Sequence, residues 1–153
     1  GWKGHMMPAL KLDPHGSLAM KSSRYPITEI GLMNLLHKLL DHRRRDASAD
    51  TLPTCRLDTI TSPRPAYRFV IEYESPEQTP GISDIYRRSI VSLDREWLVP
   101  TGIENHGWGT STRDATFDDT TLIESYRYRD VDFDAGTNDL DFDRDNPEYA
   151  FRR

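Results

Sequence analysis

Four aspartates alternate near the C-terminus: Asp139, Asp141, Asp143 and Asp145. Carboxylates at every second position are what a calcium loop places at its positions 1, 3 and 5. Counted from Asp141, however, the sixth position (where such a loop needs glycine) is Asn146, and the twelfth (where it needs glutamate) is Arg152. The run therefore reads as solvated acidic turns. Glu104 and His106 stand two apart, a spacing that on a strand points both groups the same way, as a metal pair could. No third ligand is specified, and no metal is expected. Cys55 is the single cysteine, so no intrachain disulfide forms, and its T-C-R-L-D setting predicts a buried thiol on a strand. The His42–Arg45 run, HRRR, reads as a solvated helix end. No Gly-x-Ser-x-Gly, P-loop or Gly-x-Gly-x-x-Gly is present. The residues therefore assign no catalytic group and no cofactor, and the chain is not expected to be an enzyme.

The element best able to organise the rest is Pro26–Arg45. Thr28 is placed to cap a helix, and Glu29 suits the positive end of its dipole. Leu32, Met33, Leu35, Leu36, Leu39 and Leu40 follow at helical period. His42 to Arg45 put positive charge at the carbonyl end. The spacing predicts a helix over Thr28–Arg45, and six large apolar side chains on one broad face need a partner surface.

Strand signals surround it. Ala9–Asp13 alternates as a half-buried strand, Asp13-Pro14-His15-Gly16 is a turn, and Leu18–Met20 reads as a short returning strand. Thr54–Thr61, Tyr67–Glu74, Ile85–Asp94, Trp97–Asn105 and Thr121–Tyr128 follow, with Tyr67, Phe69, Ile71 and Tyr73 sharing one face. Pro100 predicts an edge, bulge or bend in its strand, and the parity of Val131 and Phe133 predicts a bulge near Arg129-Asp130. Short connections without a helical pattern favour an antiparallel meander. Residues 136–153 form an acidic tail that Phe142, Tyr149 and Phe151 could pin to the body.

The whole chain is 153 residues, which suits a single domain. Hydrophobic residues make up 36% and charged residues 29%, so the core should be modest and the surface polar. A formal charge of −5 argues against nucleic-acid binding. No apolar run reaches the roughly 20 residues that span a bilayer, so no transmembrane segment is expected.

Three segments carry a family resemblance: LDPHGSLAMKSSRYPITEIGLMNLL, VSLDREWLVPTGIENHGW and ESYRYRDVDFDAGTNDLDFDRDNPEYAF. Together they resemble an uncharacterised family of exported bacterial proteins, distantly similar to the lipoprotein carriers of the LolA and LolB type. Asp94, Leu98, Pro100 and Glu104 match its strand pair. Phe142, Asn146, Pro147, Tyr149 and Phe151 match its closing segment. The resemblance implies an α+β fold in which a curved antiparallel sheet, an open half-barrel, wraps one long helix. It also implies an exported, periplasmic location and a chain that is incomplete at the N-terminus. Members usually carry further strands and a first helix upstream, so the Leu10 strand would expose an unpaired edge.

The expected function is a non-enzymatic binding module that holds a lipid or a lipoprotein acyl chain between helix and sheet. Its apolar lining would be Leu32, Leu36, Leu39, Leu40, Tyr67, Phe69, Ile71 and Tyr73. The other reading is a structural or interaction domain with a filled core. Nothing in the residues fixes an oligomeric state.

Overall fold

The computed structural model describes residues 13–29, 31–61, 64–109, 116–143 and 146–149. The strand expected at Ala9–Asp13 lies almost wholly outside them, as does Phe151. The chain divides into two compact units, Ile30–Arg129 and a smaller one made of Gly1–Glu29 with Asp130–Arg153.

Among the described residues, the strands and α-helices all lie in the larger unit. Helix α1 spans Leu32–Ala47, followed by strands β1 (Thr54–Ile60), β2 (Ala66–Glu72), β3 (Arg88–Asp94) and β4 (Pro100–His106). A short helix α2 (Phe117–Thr121) leads into β5 (Leu122–Arg127). The five strands form one antiparallel sheet in sequence order, the expected meander.

The helix begins later than the sequence predicts. Ile27–Glu29 is a separate 3-10 turn, and Gly31 precedes α1 with φ 134°, a conformation that side-chain-bearing residues rarely adopt. Thr28 therefore does not cap α1. At the other end, the helix runs two residues past Arg45 and takes in Asp46.

The connection between β2 and β3 is longer than the expected hairpin loop, and β3 starts at Arg88 rather than Ile85. The intervening backbone coils inward: the N–H groups of Ile82 and Ser83 donate to the Thr79 carbonyl, and that of Tyr86 donates to Ile82. The Ser83 hydroxyl accepts from Thr79 N–H and donates to the Pro76 carbonyl. This local bonding lets Ile82 and Ser83 reach zero exposure. The bulge expected from Pro100 is present, at Ser92/Leu93 opposite it. A second irregularity falls at Asn105/His106 against β5, not near Arg129-Asp130, because β5 ends at Arg127.

Helix α2 is held by charge. Arg87 is buried, lies over the Phe117 ring at 4.8 Å and pairs with Asp118; Arg88 pairs with the same carboxylate. Burial pushes the Asp118 carboxyl up, but Arg88 and Arg87 outweigh it and hold it below the usual range. His106 donates from Nδ1 to the Asp118 carbonyl, 2.9 Å.

The described residues of the smaller unit form turns and short 3-10 helices. Gly16 N–H closes on the Asp13 carbonyl at 2.9 Å, as the D-P-H-G sequence predicts. Leu18–Met20 is not a strand: the segment turns and enters a 3-10 helix at Met20–Ser22. Asp139–Phe142 is a 3-10 turn whose Asn138 and Asp141 form a reciprocal cap. Phe142 is 79% exposed, so it does not pin the tail. Asn146 is buried, and its side chain bonds the Leu140 carbonyl and the Glu148 N–H.

Candidate functional site

Strand pairing aligns the side chains of the core-facing side in rows. Leu57, Phe69, Val91, Ile103 and Tyr126 stand opposite one another across all five strands. The next row is Cys55, Ile71, Ser89, Asn105 and Glu124. Directly opposed residues on neighbouring strands project to the same face. Ile71, Tyr73, Ile82, Tyr86, Val91 and Ile103 form the buried cluster, and Leu35, Leu39 and Phe69 pack against it. The inward face of α1 is thus the 35/39/42/46 stripe, Leu35, Leu39, His42 and Asp46 at steps of three and four.

The stripe changes character along the helix. Its first part is leucine. Its last two turns sit among polar groups: the Tyr73 hydroxyl donates to Asp46, Arg43 pairs with Asp46 at 2.9 Å, and the His42 ring lies 6.4 Å from Tyr86. Tyr86 hydroxyl and Asn105 Nδ2 each donate to Glu124 Oε1 at 2.7 Å. Burial pushes the Tyr73 phenol up to about 12; the Asp46 carboxylate adds to this and Arg43 opposes it. Burial also lowers the His42 pKa, helped by Arg43 and Arg45 and opposed by Asp46 and Glu124. The face therefore pairs an apolar part with a polar part whose buried groups bond one another.

The eight residues expected to line a cavity are distributed unevenly. Ile71 and Tyr73 are buried in the core cluster. Leu39 and Phe69 pack on that cluster from outside it. Leu32, Leu36 and Tyr67 are half-buried, and Arg95 lies over the Tyr67 ring at 5.3 Å. Leu40 is 44% exposed. Cys55, expected to be buried, is exposed, as are its neighbours Thr54, Arg56 and Leu57 on β1. Arg43, read as part of a solvated run, is half-buried against Asp46 and Tyr73. The Glu104/His106 pair does not converge on a shared point: Glu104 bonds Arg127, and His106 bonds the Asp118 carbonyl.

Sequence reasoning missed Asp46, His42, Tyr86, Asn105 and Glu124 as a group. Extending the 35/39/42 stripe by one step reaches Asp46, so that signal was present. Tyr86 and Glu124 carried none, since a loop coiling inward and a carboxylate on a core face have no local signature.

An antiparallel five-stranded meander with one long helix on a single face defines the class as an α+β domain. The chain belongs to the DUF1571 family, proteins of unknown function, whose family model matches residues 1–151. No curated protein and no solved structure matches it. Membership of an uncharacterised family is as the sequence implied. Among the described residues no helix is long and apolar enough to cross a membrane.

Proposed function

We propose that this chain is a non-catalytic binding module that holds an apolar chain of the acyl type, as found on lipids and lipoproteins, on the part of the core-facing side that α1 leaves open. One observation carries the reading. Leu57 and Phe69 are cross-strand partners on that face, yet Phe69 packs on the core while Leu57 stays 54% exposed. On α1, Leu40 is likewise 44% exposed. Burying a leucine contributes roughly 1.5–3 kcal/mol, so an apolar occupant gains by covering these side chains. In this reading the sheet is the open half-barrel of the carrier resemblance, and the protein works outside the cytoplasm.

Titration with a fluorescent polyene fatty acid tests the proposal. Saturable, stoichiometric uptake is expected, weakened by Leu57→Gln and by Leu40→Gln with folding intact. The alternative, a structural or interaction domain with a filled core, draws on the complete burial of Ile71 and Ile82. Absence of saturable uptake by the folded chain decides for it.

A further inference from the structure

The outer edge of β1 goes beyond any ligand reading. β1 closes one side of the sheet, and among the described residues no strand pairs with its far edge. Thr54, Cys55, Arg56 and Leu57 are all exposed. Edge strands are normally protected from pairing by charged side chains, prolines, bulges or short length. β1 has no proline, no bulge and no lack of length: it is seven residues long, T-C-R-L-D-T-I, and its register with β2 runs unbroken from Thr54 to Ile60. Its two charges are of opposite sign, Arg56 and Asp58, side by side at 3.2 Å and pointing away from the core-facing side.

We infer that β1 is a homotypic interface, on which a second copy of this chain adds its own β1 antiparallel about a two-fold axis at Leu57. The sequence is self-complementary in that register alone. Leu57 meets Leu57 of the second copy on the core-facing side. Cys55 stands opposite Thr59 of the second copy. On the other face Arg56 meets Asp58 of the second copy, and Asp58 meets its Arg56, so four charges alternate in sign. Opposite charges directly across a ladder stabilise it and like charges oppose it. An isologous contact of this kind closes on itself at two copies, and the free N–H and C=O groups of both edges become paired. The five-stranded sheet continues through the axis into a second one, and the two open apolar faces beside Leu57 become neighbours.

Sedimentation of the whole chain across a concentration series, with charge variants, tests this. The wild type dimerises. Arg56→Glu alone places like charges opposite each other twice and loses the dimer, and so does Asp58→Arg alone. An equimolar mixture of the two single variants restores opposite signs at both pairs and dimerises, as does the Arg56→Glu/Asp58→Arg double variant. These side chains are exposed (65% and 40%), so the variants fold. In the register proposed, Thr59→Cys under mild oxidation with diamide forms a covalent dimer through Cys55 of the second copy, whereas the wild type, whose cysteines are offset along the strands, does not. A wild type that is monomeric at every concentration overturns the inference. So does a dimer that neither single variant weakens, or single variants whose mixture stays monomeric.

Discussion

The Tyr73 hydroxyl lies 3.1 and 3.2 Å from the two carboxylate oxygens of Asp46, and so fastens the residue just past β2 to the last turn of α1. Arg43 completes the triangle, pairing with Asp46 at 2.9 Å and donating to the Tyr73 oxygen at 3.2 Å. Asp46 is 5% exposed, so its charge depends on these two partners. Tyr73→Phe is expected to cost about 1–3 kcal/mol, the usual penalty for removing a partner from a buried polar group. Combined with Asp46→Ala it should cost less than the sum of the two single changes. Denaturant titration of the three variants checks this; additive losses would mean that the pair is not coupled.

His42 gives the fold an acid sensitivity. Its pKa is lowered in the native state, chiefly by burial, so the unfolded chain takes up a proton before the folded one does. Stability attributable to His42 is therefore complete above its unfolded value of about 6.5 and declines as pH falls from there through the lowered native pKa. Melting temperatures measured between neutral pH and the carboxylate range should fall more in the wild type than in His42→Gln. Parallel curves would assign the sensitivity to other groups.

The β3–β4 hairpin depends on Asp94. Its Oδ1 accepts from the N–H groups of Glu96 and Trp97 at 2.8 and 3.0 Å, and its Oδ2 from Arg64 at 3.0 Å. The Trp97 N–H lowers its pKa most; burial opposes, and Glu96 N–H and Arg64 add to the lowering. Its contribution is thus present above an unfolded pKa of about 3.9 and lost as pH falls through the lower native one. Asp94→Ala should cost about 1–3 kcal/mol near neutral pH. In the acid-unfolding profile the variant and wild type should converge at low pH.

In the same turn Leu98 has φ 55° and is 61% exposed. A left-handed backbone strains a leucine, and asparagine tolerates it better. Leu98→Asn is therefore expected to raise stability by part of the roughly 1–2 kcal/mol that the left-handed conformation costs. A loss in chemical denaturation would show that the leucine makes a contact worth more than the strain.

The two leucines Leu39 and Leu40 separate the buried and open sides of α1. Leu39 packs on the core cluster, and Leu39→Ala should cost about 2 kcal/mol, the low end for a partly buried leucine. Leu40→Ala should cost under about 1 kcal/mol. Equal losses would mean that α1 is rotated about its axis from the arrangement described.

The sheet and the helix were legible because each repeats a period. Tyr67, Phe69, Ile71 and Tyr73 alternate over enough residues to fix one face, and Leu35 and Leu39 do the same for the helix, whereas Met33 and Leu40, expected on that same face, are exposed. The helix start was misread because Thr28 looks like a cap, whereas Gly31 makes the break through its backbone. Cys55 and Leu57 alternate as core residues would, but which strands lie covered is a tertiary fact that no strand pattern contains. The polar half of the candidate site was hidden for the same reason: Tyr86 and Glu124 are 38 residues apart and meet only once the inward-coiled loop and β5 are both in place.

The most direct test of the proposed binding role is a backbone-amide NMR titration of the folded chain with a medium-chain fatty acid. The account predicts saturable shifts on β1 and β2 around Leu57 and Phe69 and on α1 around Leu40, all fitting one dissociation constant. Shifts that fail to saturate, or that avoid this face, would contradict it.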